Sequence, residues 1–385
     1  MVTLADIEAA RERLRGSTYE TPCAYSQTLS ELTRVRCYVK LENLQMTGSF
    51  KERGAANVLL QLTDAERARG VVAASAGNHG LAVAFHAARL GVRAVIVMPE
   101  SAPLVKVVSA RRYGAEVLLV GANYDEAYAR AREVERQRDL CFVHPFDDER
   151  VMAGQGTLAL ELLEQRPDVE ALLVPVGGGG LIAGVATAVK ARTPRVRVIG
   201  VQAAELPTIA DGIAVRERGR LTMDIIRALV DEIVVVTEEE IANAILLLLE
   251  IEKTVVEGAG ATTLAALLNR PLRLDGRAVV LVLSGGNIDV TMISRIIERG
   301  LVKDGRLVRL AVMLVDRPGA LARLTTLIAE SRANILHIEH HRAFSRGGIG
   351  ESEVELTLET SGREQIDEIK TRLSSAGYRV EDKRA

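Results

Sequence analysis

Between residues 70 and 200 the chain repeats one pattern, a short run of branched apolar residues followed by a longer helical stretch. Strands are expected at Val71–Ala74, Ala94–Met98, Glu116–Val120, Cys141–Val143, Leu172–Val176 and Val196–Val201. The intervening helices fall at Asn78–Leu90, Ala102–Tyr113, Asn123–Arg138, Val151–Glu164 and Leu181–Arg192. Most of the strand runs lack polar alternation, as parallel strands buried on both faces do. Repeated strand-helix units of this kind predict open α/β sheets. Later helices are expected at Glu238–Glu252, Ala259–Leu268 and Asp289–Arg299, with a strand at Ala278–Leu283.

After residue 300 the pattern changes. Gly300–Arg306 reads as a linker. An alternating strand at Leu307–Val315 follows, then a helix at Ala320–Ser331 entered through Arg-Pro-Gly. Strands at Asn334–Phe344 and Glu351–Thr360 are joined by Ser-Arg-Gly-Gly-Ile-Gly, and a helix at Glu364–Ala376 leads to a short strand at Arg379–Glu381. That order, βαββαβ, predicts a ferredoxin-like domain at 306–385. A chain of 385 residues has room for it beside a larger part, residues 1–305.

Composition narrows the partners. The net charge of −2 gives no long-range attraction to nucleic acid or acidic membranes. Trp is absent and aromatics are only 3%, so a stacking platform for single strands is not expected. Apolar stretches such as Ala244–Leu249 are too short to span a bilayer, and the first residues form a polar amphipathic pattern without a signal-peptide core. Cys23, Cys37 and Cys141 are far apart and form no CxxC pair, which argues against a zinc ribbon or disulfide scaffold and fits a reducing, cytoplasmic compartment. Common metal-site spacings are also absent, so no metal is expected.

Four motifs carry chemistry. In Met46-Thr-Gly-Ser-Phe-Lys-Glu-Arg-Gly54, Lys51 opens a strongly helical stretch. A cation at the positive end of a helix dipole is disfavoured, so the setting favours the neutral amine that a Schiff-base lysine needs. Pro175-Val-Gly-Gly-Gly-Gly-Leu181 lies between a strand and a helix. The amides of Gly177, Gly178, Gly179 and Gly180, with the helix start, suit a phosphate; a flexible turn is the alternative. Ser75-Ala-Gly-Asn-His-Gly80 has the same placement, offering amides and the Asn78 side chain to a carboxylate, or simply a helix cap. His79 reads equally as a structural histidine, and general-base work is not assigned to it. Leu283-Ser-Gly-Gly-Asn-Ile-Asp289 puts the neutral hydroxyl of Ser284 at a strand's carboxyl end, where open α/β sheets bind ligands; a helix cap is again the alternative. An amine, a phosphate cradle, a carboxylate loop and a neutral donor together match pyridoxal 5′-phosphate.

With Ala210-Asp-Gly212 and Glu257-Gly-Ala-Gly-Ala261, these motifs resemble the threonine ammonia-lyase (threonine dehydratase) family, of the pyridoxal-phosphate tryptophan-synthase-β fold, in its form with one C-terminal ACT domain. The resemblance covers nearly the whole chain. It implies two open α/β subdomains, the smaller spanning roughly 54–150, plus the ACT domain. It implies that Lys51 binds the cofactor and moves the Cα proton, that Phe50 flanks the ring, and that Asn78 bonds the ring oxygen. Gly177, Gly178, Gly179, Gly180 and Leu181 would hold the phosphate, and Ser284 would sit at the ring nitrogen. Ser75, Ala76, Gly77, Asn78 and His79 would line the substrate carboxylate pocket, with Gln155 assisting.

The implied reaction is elimination from L-threonine, and more weakly from L-serine. Serine racemase or serine dehydratase is the alternative, and a non-catalytic amino-acid sensor a second. Racemases carry a second serine where this chain has Ala76, so elimination is preferred. Relatives that bind a divalent cation use an acid where this chain has Gln202, and Asp211 reads as structural. The segment between Glu205 and Ala210 is shorter than usual for the family. In the tail, Asp316, Arg317, Pro318, Gly319, Ala320 and Leu321 resemble the ACT loop that binds an amino-acid effector, with a structural or dimerising module as the alternative. His337, His340 and His341 read as a solvated or interface strand. A homodimer or homotetramer is implied.

Overall fold

The computed structural model describes residues 1–102, 104–215, 218–342 and 348–383. The chain divides into two units, Met1–Ile288 and Asp289–Ala385.

Two sheets organise the first unit. The larger has the order β1-β2-β10-β7-β8-β9, built from β1 (Cys23–Tyr25), β2 (Arg36–Lys40), β7 (Ala171–Pro175), β8 (Arg197–Ala203), β9 (Glu232–Val236) and β10 (Ala278–Val282). Only β1 and β2 pair antiparallel. The smaller sheet, β5-β4-β3-β6, is wholly parallel and comprises β3 (Val71–Ala74), β4 (Ala94–Met98), β5 (Glu116–Leu119) and β6 (Cys141–Phe142). The chain leaves the large sheet after β2, completes the small one, and returns at β7.

The unbroken apolar runs have a direct cause. In β3, Val71 and Ala73 enter one core while Val72 and Ala74 enter another. In β4, Ile96 and Met98 face the first core, and Val95 and Val97 the second. Both faces are covered, so neither tolerates a polar residue. Strands β1, β2 and β9 are additions to the expected series. The last two helices of that series differ little from expectation, at Glu238–Ile251 and Gly258–Asn269. The helix expected at 102–113 runs over Leu104–Arg112, and Pro103 lies outside the described residues.

In the second unit, the helix Val290–Lys303 precedes β11 (Leu307–Val315), the helix Ala320–Glu330, β12 (Asn334–His341), β13 (Glu351–Glu359), the helix Arg363–Ser375 and β14 (Arg379–Asp382). The expected linker at 300–306 is therefore the end of a helix and a turn. The antiparallel sheet runs β12-β13-β11-β14. Leu310, Val312, Val354 and Leu356 on one face pack against Leu324, Ile328, Ile369 and Leu373 of its two helices. Ala343 and Phe344 of the expected strand, and Ser345, Arg346 and Gly347 of the joining loop, lie outside the described residues.

One buried polar network ties the large sheet to the helix Lys51–Leu60. Arg53 is fully buried. Its Nε and Nη2 donate to Glu42 at 2.7 and 2.8 Å, and its Nη1 and Nη2 donate to Glu161 at 2.5 and 2.8 Å. Lys40, at the end of β2, adds a bond to Glu161 at 2.9 Å. Burial pushes the Glu42 carboxyl up, but the Arg53 guanidinium outweighs it and holds the group below its ordinary value. Removing one member of such a set strands the others without partners. Arg53→Ala is expected to destabilise the chain by about 3–5 kcal/mol, read as a lowered denaturant midpoint; an unchanged midpoint would show that the network contributes nothing.

Candidate active site

Lys51 is the first residue of its helix, which begins without a side-chain cap. The segment before it is stitched to the loop after β10. The Phe50 amide donates to Ser284 O at 3.0 Å, the Gly286 amide to Gly48 O at 2.9 Å, and Asn287 Nδ2 to Thr47 O at 2.7 Å. Ser49 and Gly285 form an isolated bridge. The first and fourth sequence motifs are thus one structural element, with Ser284 buried beside the start of the Lys51 helix.

The Lys51 side chain is half-buried, and its amine is the enclosed end, donating to Pro145 O at 2.7 Å. Burial pulls its pKa down to about 8, with the Glu257 charge working the other way. The neutral amine expected from the helix dipole is thus favoured chiefly by desolvation. The ring of Phe50 lies beside it, 5.3 Å from centroid to Nζ.

Pro145 belongs to His144-Pro-Phe-Asp-Asp148, between β6 and the helix Glu149–Gln165. This stretch carries no motif in the sequence, although it occupies the same strand-to-helix position as the glycine and Ser75–Gly80 loops. Phe146 fills the space beside the glycine loop: a Cβ on Gly178 would lie 2.3 Å from its ring. Asp147 accepts from the amides of Arg220 and Thr222 at 3.1 Å each, fixing the start of the helix Arg220–Leu229. Thr222 in turn donates to Gly178 O at 2.7 Å. Gly179, at φ +95°, requires glycine on conformational grounds as well. The helix Gly180–Arg192 starts with no side-chain cap, leaving its first amides for an anion. Leu181 is buried at that start.

Ser75–His79 leave the small sheet after β3. Ser75 Oγ accepts from the Gly77 amide at 3.1 Å, and Ala76, Gly77 and Asn78 are half-buried. The ring of His79 turns to the end of β6, where Nε2 lies 2.9 Å from Val143 O. Burial, helped by the Lys51 charge, pushes its pKa down to about 3, so the ring is neutral. Asn78 makes three side-chain bonds. Nδ2 donates to both oxygens of Glu257, at 2.8 and 3.0 Å, and Oδ1 accepts from Asn287 Nδ2 at 2.9 Å. Glu257 and Asn287 lie within quoted motifs, but nothing in the sequence marks them as partners of Asn78.

Gln155 is buried against the Lys51 helix, where a Cβ on Gly54 would lie 2.4 Å from its Nε2. Its Oε1, and the hydroxyls of Ser49 and Thr47, are buried and have no partner among the described residues. In the second unit, Asp316–Gly319 form an exposed turn. Asp316 is paired with Arg342 at 3.1 Å, and Gly319, at φ +85°, opens an uncapped helix that contains Ala320 and Leu321.

These residues fit pyridoxal phosphate. A glycine loop with its Cβ positions filled by Phe146 and Thr222 offers amides, unsatisfied hydroxyl and amide oxygens line the vicinity of Lys51, and the lysine amine is depressed. The chain belongs to the pyridoxal-phosphate dependent enzyme family, whose model matches residues 14–285, and an ACT domain matches residues 308–377. Among its relatives is the L-threonine ammonia-lyase of Thermotoga maritima, 49% identical over 398 aligned residues, with 99% of each chain covered. Among solved structures, the processed form of threonine deaminase isoform 2 from Solanum lycopersicum has a TM-score of 0.73 at 35% identity, covering 77% of this chain and 86% of that one. Maize serine racemase has the same TM-score at 32% identity, covering 78% and 98%.

If Lys51 is the depressed amine, its modification by an amine-selective aldehyde in cofactor-free protein should rise with a midpoint near pH 8, as the pKa of about 8 requires. A midpoint at the ordinary lysine value of 10.5 would contradict the assigned environment.

Proposed function

We propose that the protein is a pyridoxal-phosphate-dependent L-threonine ammonia-lyase, converting L-threonine to 2-oxobutanoate and ammonia, with L-serine to pyruvate as a weaker activity. The observation that carries this reading is the enclosed, depressed amine of Lys51, positioned by the same Pro145–Phe146 stretch that packs on the glycine loop. We assign catalysis to residues 1–305, with a small subdomain over roughly 54–150, and regulation to residues 306–385.

Bound at this site, pyridoxal phosphate supplies a conjugated electron sink that acidifies the Cα–H bond of an attached amino acid. The chain's own residues do the rest. The amides of Gly177–Leu181 hold the phosphate, Phe50 flanks the ring, and Asn78 donates to the ring oxygen. Ser284 offers the ring nitrogen a neutral hydroxyl, where a carboxylate would keep it protonated and overstabilise carbanionic character. Amides of Ser75–His79, with Gln155 Nε2, hold the substrate carboxylate. Lys51 Nζ takes the Cα proton, and its pKa of about 8 leaves a useful fraction neutral near physiological pH. Net loss of that proton and the β-hydroxyl as water gives an enamine, which after release tautomerises and takes up a further water to yield the 2-oxo acid and ammonia. Ala76 has no group able to return a proton from the opposite face, which favours elimination over racemisation.

The loop Asp316–Leu321 is our candidate for an amino-acid effector, because uncapped amides at a helix start suit a carboxylate. A cytoplasmic homodimer or homotetramer, serving isoleucine biosynthesis under allosteric control, completes the reading.

The purified protein should be yellow and release 2-oxobutanoate from L-threonine. Lys51→Ala should lower kcat by about 10³-fold or more; full turnover in that variant would remove Lys51 from the mechanism. Titrating threonine turnover with isoleucine and valine should reveal an effect that disappears on deletion of residues 307–385. A response retained by the shortened chain would place the effector elsewhere.

A further inference from the structure

Glu257 is 2% exposed, and among the described residues it has no ion-pair partner. Its amide donates to Gly285 O at 2.9 Å, which sets it at the start of the helix Gly258–Asn269. The carboxylate is walled in: a Cβ on Gly285 would lie 2.4 Å from Oε1, and one on Gly212 would lie 3.2 Å away. Its side-chain donor is Asn78 Nδ2, which reaches both oxygens. Of the cations nearby, Lys106 is engaged with Asp211 at 2.6 Å, and Lys51, whose amine feels the Glu257 charge, donates to Pro145 O. A carboxylate buried without a paired cation is costly to maintain. Glutamine or an apolar side chain of similar size would fill the same space without that penalty.

The bonds around Asn78 show what the carboxylate achieves. An amide side chain can be flipped, exchanging its oxygen and nitrogen. Here both ends are specified. Ionised Glu257 can only accept, so Nδ2 must face it, and Asn287 Nδ2 must then donate to Oδ1 at 2.9 Å. Asn287 is itself fixed by its bond to Thr47 O. Nδ2 carries two diverging hydrogens, and the two oxygens of a single carboxylate lie close enough together to share one of them, at 2.8 and 3.0 Å.

We propose that Glu257 is a positioning residue for the cofactor: it locks the Asn78 amide in the orientation that keeps one N–H free for the cofactor's ring oxygen. This rests on the reading of Asn78 given under the proposed function. Glu257 acts through Asn78 and does not itself take part in proton transfer. Burial, with Asp211 adding to it, pushes its pKa up to about 7, while Asn78 and Lys106 oppose the rise. The contact with Asn78 is thus one of the forces that keep the acceptor form populated.

The test is a double-mutant cycle on the full chain with cofactor bound. Asn78→Ala, Glu257→Ala, the double variant and Glu257→Gln are compared with the natural sequence. The readouts are the pH midpoint of the bound cofactor's visible band, the cofactor Kd, and kcat and KM for L-threonine. Glu257→Ala should shift the midpoint in the same direction as Asn78→Ala and weaken cofactor binding. Its kcat/KM should fall by about 10- to 100-fold, the scale of a misplaced group. The double variant should go no further than Asn78→Ala alone. Glu257→Gln keeps an acceptor of the same shape, so it should fold and recover at least half of the midpoint shift. Additive effects in the double variant, or a Glu257→Gln band identical to that of Glu257→Ala, would overturn the inference. Absence of any cofactor band in the natural sequence would overturn both this inference and the function on which it rests.

Discussion

The arrangement depends first on a fully desolvated arginine. Arg53 lies two residues after Lys51 and is gripped by Glu42 and Glu161, one from the single turn after β2 and one from the helix Glu149–Gln165. Four bonds from a planar fork reach two carboxylates and a fifth reaches Thr157, so the helix can take only one rotation about its axis. That rotation decides where Lys51 points. The set Lys40, Glu42, Arg53 and Glu161 is formally neutral, which is why it survives burial. Buried ion pairs gain little stability over apolar side chains of equal volume. The contribution here is directional: an apolar contact would let the helix rotate, and the amine would lose its bond to Pro145.

Much of the fold was legible, for a reason visible in β3 and β4. Strands covered on both faces have no polar face to blur the pattern, so Val71–Ala74 and Ala94–Met98 stand out with their bounds intact. β2 was hidden by the network just described. It ends in Lys40, a charge that reads as a surface residue and is fully buried. β1 has three residues, too few for any period to register. The run Ile233–Val236 in β9 is as strand-like as β4, and its absence from the expected series is no failing of the signal. The tail was legible through its βαββαβ order, and Leu310, Val312 and Leu314 along β11 line the face that the helices cover.

The candidate site was legible where chemistry is carried by a run of residues and illegible where it depends on a partner distant in sequence. Gly177–Gly180 declare themselves, because four glycines in succession have few other uses. Lys51 declares itself through the turn before it. Glu257 is 179 residues from Asn78, and no local pattern links them. The stretch His144–Asp148 is the instructive omission. Its position between a strand and a helix was the same clue that picked out the other loops, and Phe146 and Asp147 turn out to shape the glycine loop and the helix beside it.

The two-sheet layout of the first unit has a consequence for how such a protein changes over generations. The glycine loop follows β7 and Ser284 follows β10, both in the large sheet, whereas Ser75–His79 follow β3 in the small one. On the proposed reading, the parts that retain the cofactor and the parts that meet the substrate therefore have separate foundations. A substitution within the small sheet can alter which amino acid is accepted while the prosthetic group stays seated. Asn78 and Gln155 are exceptions: Asn78 grows from the small sheet and is fastened to Glu257 and Asn287 outside it, and Gln155 stands on the helix Glu149–Gln165 against the Lys51 helix. Drift in substrate choice is therefore open at Ser75–Gly77 and closed at the next position along the chain.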